Sequence, residues 1–202
     1  MAEYESLVER VTNALHKAQL KYVIVGGFAA IFRGRPRTTT DLDVIIEADH
    51  SKIKIFLEAL KQSRFNVIDD QVALALQAKK NISIFDESSI LRVDLKLARE
   101  LDEIEVLNQS VTELYKGMAI EVASTEQVLY GKILYLGDIS NIPDSELLEY
   151  SDVVDFLVVF HQAQSVNIQW LKTKAQSKGL EKTFQRLKEL SNKLDSKEIK
   201  DI

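Results

Sequence analysis

Asp41 and Asp43 stand two residues apart in the run Arg37-Thr38-Thr39-Thr40-Asp41-Leu42-Asp43. In an extended strand, residues i and i+2 point to the same face, so these two carboxylates share one side of the backbone. Like charges so placed repel, and the arrangement is stable where a cation sits between them. Mg²⁺ suits the place, because it takes oxygen ligands and is commonly held by one or two carboxylates together with substrate phosphates. Upstream, Gly26-Gly27 closes the apolar run Tyr22-Val23-Ile24-Val25. Two glycines at a helix start let a backbone come close to a phosphate. Thr39 and Thr40 place hydroxyl donors beside the acidic pair. Arg37 adds a forked, permanently charged donor for phosphate oxygens.

A second pattern strengthens the first. From Ile90 to Leu97 the chain alternates, with Leu91, Val93, Leu95 and Leu97 on one face and Arg92, Asp94 and Lys96 on the other. The upstream strand behaves alike: Leu42, Val44 and Ile46 face a core, while Asp41 and Asp43 face away. With the two strands as neighbours, Asp94 joins the pair, and three carboxylates share a sheet face whose reverse is buried. Such a set suits in-line displacement at the α-phosphate of a nucleoside triphosphate, where two metal ions stabilise the attacking and leaving oxygens. The third carboxylate then binds metal or acts as base on the attacking hydroxyl. The plainer reading of Arg92-Asp94-Lys96, a solvated strand face with a salt bridge, loses weight beside the upstream Asp-x-Asp.

Positioning these residues requires a regular alternation of elements. The spacing of Leu7, Val11, Leu15 and Leu20 predicts a helix over residues 4–19. A strand over 21–25 and a short helix over 27–32 follow, the latter stopped by Gly34-Arg35-Pro36. Further strands are expected over 42–46, 65–68, 82–85 and 90–97. Helices are expected from a cap at Asp49 or Ser51 to about residue 62, over 69–79 with Asp69-Asp70 as cap, and over 101–108. Residues 111–115 and 118–122 read as a hairpin across Lys116-Gly117. Ser124 with Gln127 three residues on reads as a capping box opening a helix that ends at Gly137. From Asp144 onward the pattern is helical. The expected division is an α/β core over residues 1–122 and a helical C-terminal part over 123–202.

The composition sets bounds. Of 202 residues, 46% are hydrophobic and 28% charged, the balance of a globular domain with a soluble surface. The absence of cysteine excludes disulfides, thiol catalysis and thiolate metal sites. No apolar run is long enough for a bilayer, and the first residues are acidic where a signal peptide needs basic ones, so a cytoplasmic location and no membrane partner are expected. A net charge of −5 argues against a nucleic-acid coat. Residues 171–202 nevertheless carry nine Lys/Arg against five Asp/Glu, which reads as a solvated helical tail or, alternatively, as a patch for a polyanion such as tRNA. His16, His50 and His161 are scattered without metal-ligand spacing. The stripe Phe184, Leu187, Leu190 and Leu194 is expected to pack on its own domain.

Gly26-Gly27, Arg37-x-Thr39-x-Asp41-x-Asp43 and a later strand carrying Asp94 resemble the polymerase-β-like nucleotidyltransferase superfamily. Within it, the small bacterial and archaeal branch related to abortive-infection nucleotidyltransferase toxins is the more similar, because Gly-Gly replaces Gly-Ser there. That branch carries a lysine on a helix opened by a Ser/Thr/Pro-Glu cap, matched here by Ser124-Thr125-Glu126 and Lys132. It then has a basic-Asp-x-x-Asp helix, matched by Ser151-Asp152-Val153-Val154-Asp155 with serine at the basic position. The resemblance spans residues 20–160.

The resemblance implies an α/β (α+β) fold: a small mixed sheet with helices on one face, then a helical C-terminal part. It implies transfer of a nucleotidyl group from a nucleoside triphosphate to a hydroxyl, with Mg²⁺ or Mn²⁺ as cofactor. Asp41, Asp43 and Asp94 would be catalytic and metal-binding. Gly26, Gly27, Arg37, Thr39, Lys132, Asp152 and Asp155 would bind the nucleotide. Phe28 matches the bulky apolar residue that follows the glycines. The acceptor would be tRNA, a protein or a small molecule, and a toxin would have an antitoxin protein as partner. The competing expectation is a non-catalytic protein that keeps the fold and binds a nucleotide or a partner. Loss of any of the three carboxylates would favour it, and all three are present. A metal-dependent phosphohydrolase usually needs histidine ligands, which this chain lacks.

Overall fold

The computed structural model describes residues 2–194. They fall into two compact units. One comprises the chain up to Phe28 together with Thr38–Ala123, and the other comprises Ala29–Arg37 together with the chain from Ser124 on.

The first unit is built on a sheet of seven strands: β1 (Tyr22–Ile24), β2 (Asp41–Ile46), β3 (Phe65–Asn66), β4 (Ile82–Asp86), β5 (Arg92–Leu97), β6 (Val111–Tyr115) and β7 (Met118–Val122). Their spatial order is β3-β4-β5-β2-β1-β7-β6. The sheet is mixed: β2 runs parallel to β5 and antiparallel to β1, and β1 runs parallel to β7. Around it lie α1 (Ala2–Lys17), α2 (Gly26–Phe32), α3 (His50–Gln62), α4 (Asp69–Gln77) and α5 (Leu101–Asn108). The chain passes into the second unit within α2.

Alternation decides which sheet face is buried. Leu42 and Val44 on β2 stand opposite Val93 and Leu95 on β5, and all four are closed to solvent. Leu7, Val11 and Leu15 of α1 and Ile53, Phe56 and Leu60 of α3 are equally buried. Fully burying each such side chain is worth about 1.5–3 kcal/mol, so this layer fixes the register. Arg10 of α1 reaches Asp86, which shares the inward face of β4 with Ile82 and Ile84, and grips it at 2.8 and 3.0 Å. The α1 side is therefore the face opposite Asp41 and Asp43. At the far end of the acidic face, Glu103 of α5 pairs with Lys96 at 2.9 Å.

Asp49 caps α3, accepting from the backbone N–H of Ser51 and Lys52. Asp69 and Asp70 do not cap α4, whose N-cap is Ile68. They occupy its first turn, where carboxylates complement the helix dipole, and Asp69 is also held by Lys61 at 2.7 Å.

The second unit contains α6 (Thr125–Leu136), α7 (Asp144–Leu147), α8 (Ser151–Gln162), α9 (Ile168–Ser177) and α10 (Glu181–Lys193). Ser124 and Gln127 form the reciprocal capping box that opens α6. The centre is α8, whose residues Val153 to Val159 are all buried. Phe184, Leu187 and Leu190 of α10 are buried as well, and Leu194 packs against Val154 and Val158. Arg186 donates to the carbonyls of Ile139, Ser140 and Ile142, and Thr183 donates to that of Gly137, which fastens the connection after α6 onto α10. The final stretch of the basic tail, residues 195–202, lies outside the described residues. No described helix is long and apolar enough to cross a membrane.

Candidate functional site

The parallel register of β2 and β5 sets Asp41 opposite Arg92 and Asp43 opposite Asp94. One carboxylate oxygen from each of Asp41, Asp43 and Asp94 lies within 4.8 Å of the others, all on the outward face and half-buried. Asp41 and Asp94 have matching sets of polar partners. Thr39 Oγ1 donates to Asp41 Oδ1 at 2.6 Å, and Ser83 Oγ donates to Asp94 Oδ1 at 2.5 Å. Arg92 donates through Nη2 to Asp41 Oδ2 at 3.2 Å and through Nε to Asp94 Oδ2 at 2.9 Å. The hydrogen bond to Asp94, and then its charge, raise the Arg92 pKa above its ordinary value.

The glycine turn is built against this cluster. Gly26 has φ +64°, and a Cβ there would stand 2.0 Å from Asp43 Oδ2. Only glycine meets both conditions, since a left-handed backbone disfavours a side chain and the carboxylate leaves no room for one. The Val25 N–H donates to the Asp43 carbonyl at 3.0 Å, which pins the end of β1 to the acidic strand. Tyr4 Oη donates to the Asp41 carbonyl at 2.8 Å, and the Tyr4 ring stacks on Phe28, which meets Tyr115 edge-on. Phe28 is buried and takes part in positioning β2.

The donor set fits a hard divalent cation. Ligand oxygens at about 2.1 Å from Mg²⁺ span about 4 Å across the ion, close to the spread of these carboxylates, and all three side chains offer oxygen. Ser83 as a partner of Asp94, and the reach of Arg92 across to Asp41, are the contacts that the sequence reading passed over. Their signal was alternation, since Ser83 is the outward residue between Ile82 and Ile84, and Arg92 shares a face with Asp94.

A second polar cluster belongs to the second unit. Lys132 Nζ on α6 lies 2.7 Å from Asp152 Oδ1 and 2.6 Å from Asp155 Oδ2 on α8. Arg37 Nη1 lies 2.8 Å from Asp155 Oδ2 and 2.8 Å from Ser151 Oγ. Arg35 Nε lies 3.5 Å from Asp155 Oδ1. The Asp155 side chain is 0% exposed and that of Lys132 8%. These are therefore not solvated helix-surface charges but three cations packed around two carboxylates. Ser151, standing where the resemblance expects a basic residue, accepts its hydrogen bond from Arg37. Asp41, Asp43, Asp94, Gly26, Gly27 and Thr39 thus belong to the first unit, and Arg37, Lys132, Asp152 and Asp155 to the second.

The architecture is the nucleotidyltransferase fold. A crystal structure of ANT(2'')-Ia in complex with adenylyl-2''-tobramycin matches with a TM-score of 0.56 at 13% identity, over 87% of this chain and 98% of that one. A solution structure of the antibiotic-resistance factor ANT(2'')-Ia matches with a TM-score of 0.55 at 14% identity, over 92% of each chain. A crystal structure of an antigenic nucleotidyltransferase-like protein from Paracoccidioides brasiliensis matches at 0.55 and 20% identity, over 93% of this chain and 92% of that one. No family model and no curated protein sequence matches. At these identities the likeness defines the fold, and function has to be argued from the site.

Proposed function

We propose that this chain is a metal-dependent nucleotidyltransferase, moving a nucleotidyl group from a nucleoside triphosphate to a hydroxyl acceptor. The observation that carries the reading is the convergence of Asp41, Asp43 and Asp94 within 4.8 Å on one sheet face. Gly26 supports it, because its missing side chain leaves room for Asp43.

Asp41, Asp43 and Asp94 would hold Mg²⁺ or Mn²⁺. When bound, such ions neutralise charge at the α-phosphate and stabilise the attacking and leaving oxygens. In the transfer, the acceptor oxygen forms a bond to the α-phosphorus, the bond from that phosphorus to the bridging oxygen of pyrophosphate breaks, and Asp94 takes the acceptor proton. Thr39 keeps Asp41 oriented, as Ser83 does Asp94. Gly26 and Gly27 leave the backbone open to phosphate oxygens. Arg37 and Lys132 are read as phosphate-binding cations held in place by Asp152 and Asp155.

The acceptor is a small molecule, a tRNA or a protein. ANT(2'')-Ia, with the same fold, has been crystallised with an adenylylated small molecule. A tRNA or protein acceptor would suit a toxin paired with an antitoxin in the cytoplasm. Incubating the protein with Mg²⁺, each α-³²P-labelled triphosphate in turn and total cellular RNA tests the reading, with Asp41→Ala as control. Label on RNA or on the protein, lost in the variant, supports it. If no label appears with RNA, protein or a panel of polyhydroxylated small molecules, and calorimetry finds no Mg²⁺-dependent triphosphate binding, the non-catalytic reading takes its place.

A further inference from the structure

We propose that Arg92 is the resident counter-cation of the metal-free carboxylate cluster, and that divalent-ion binding is an exchange in which the guanidinium gives up Asp41. The inference rests on the nucleotidyltransferase reading and adds a device that governs how the site loads.

Both oxygens of Asp41 and both of Asp94 already accept hydrogen bonds. The two Oδ1 atoms are taken by neutral hydroxyls, those of Thr39 and Ser83. The two Oδ2 atoms are taken by one guanidinium, at 3.2 and 2.9 Å. Three carboxylates clustered this closely would repel strongly, and Arg92 offsets that repulsion while no ion is present. Three carboxylates and one guanidinium leave a net charge of −2, which one divalent ion cancels. An arriving ion is attracted by the carboxylates and repelled by Arg92 a few ångströms away, so the arginine weakens ion binding even as it steadies the three carboxylates.

The two contacts are unequal. The bond to Asp94 runs along one strand and is the shorter, and it draws on the Nε of the arginine. The bond to Asp41 crosses to β2 and is the longer. The crossing contact is the one that yields, and Arg92 then stays on Asp94 and orients it. The nearby Lys96 shares the face but is committed to Glu103 at 2.9 Å, which makes it a control carrying the same formal charge.

The test uses Mn²⁺ alone as probe, read by electron paramagnetic resonance titration and by thermal unfolding with and without the ion. Arg92→Gln should bind Mn²⁺ about tenfold more tightly than the native protein. Its metal-free form should unfold at a lower temperature, and Mn²⁺ should raise that temperature by more than it does for the native protein. Arg92→Lys should bind nearly as weakly as the native protein, and Lys96→Gln should match it within about twofold. Unchanged or weaker Mn²⁺ binding in Arg92→Gln, or an equal gain in Lys96→Gln, overturns the exchange while leaving the metal site standing. Absence of Mn²⁺ binding in the native protein and in every variant overturns the metal site itself and the exchange with it.

Discussion

Gly26 and Asp43 are in such close apposition that a single methyl group on the glycine would stand 2.0 Å from the carboxylate oxygen. The turn from β1 into α2 and the acidic strand β2 are therefore built around each other. Gly26→Ala should push Asp43 out of the cluster and strain a backbone held at φ +64°. Mn²⁺ affinity is expected to fall at least tenfold and stability by about 1–3 kcal/mol. Urea unfolding and Mn²⁺ titration measure the two effects separately. Native-like affinity in this variant would mean that Asp43 has room to retreat without leaving the site.

Thr39 and Ser83 are expected to act through the carboxylates they hold. Thr39→Val keeps the shape of the side chain and removes the donor to Asp41 Oδ1, and Ser83→Ala does the same for Asp94 Oδ1. Removing a partner of a ligating carboxylate typically costs about 10–100-fold in metal affinity or activity. Both variants should lose Mg²⁺-dependent transfer on that scale while their urea midpoints stay near native. A loss of stability without a loss of metal affinity would assign the two hydroxyls to the sheet alone.

Much of this was legible in the sequence because alternation is a local property. The outward facing of Asp41, Asp43 and Asp94 follows from the apolar residues Leu42, Val44, Val93 and Leu95 that alternate with them, and the caps at Asp49 and Ser124 follow from residue type and spacing. Pairing is not local. That β2 lies beside β5, with Asp43 opposite Asp94, depends on strand order, which the sequence reading could only suppose. The contacts of Ser83 with Asp94 and of Arg92 with Asp41 follow from that order and were out of reach, whereas the Arg92–Asp94 pair along one strand was within it. The burial of Lys132 and Asp155 was hidden for another reason. A charged residue on a helix reads as solvated unless its counter-charges are known, and here they are distant in sequence: Asp152 and Asp155 for Lys132, and Lys132, Arg35 and Arg37 for Asp155. Asp69-Asp70 misled because an acidic pair suits a cap and a first turn equally well.

The cluster around Asp155 makes a stability prediction with a built-in contrast. Asp155 is closed to solvent and contacts Lys132, Arg37 and Arg35, whereas the Asp152 side chain is 26% exposed and contacts Lys132. Asp155→Ala leaves three buried or half-buried cations around one remaining carboxylate, and breaking a buried pair in this way costs about 3–5 kcal/mol. Asp152→Ala should cost no more than about 1 kcal/mol. Urea denaturation at neutral pH measures both. Equal losses would show that the count of charges, and not their burial, sets the stability of this unit.

Acid sensitivity should concentrate at Asp86. Burial alone would raise the pKa of this carboxyl, but the forked donation from Arg10, with the hydroxyls of Ser89 and Ser88, outweighs burial and holds it well below its ordinary 3.8. A carboxyl whose pKa is lower in the folded than in the unfolded chain stabilises the fold above the unfolded value. That contribution is present in full at neutral pH and drains away as pH falls below about 4. The native protein should therefore begin to lose this contribution as pH falls through about 4, and lose more of it with each further step down. Asp86→Asn should be about 3 kcal/mol less stable at pH 7, because Arg10 keeps its charge against a neutral, largely buried partner. The same variant should lose less than the native protein between pH 5 and pH 3, since the group that would have taken up the proton is gone. Urea unfolding of both proteins at pH 7, 5 and 3 decides the matter, and parallel pH slopes would assign the acid sensitivity to other carboxylates.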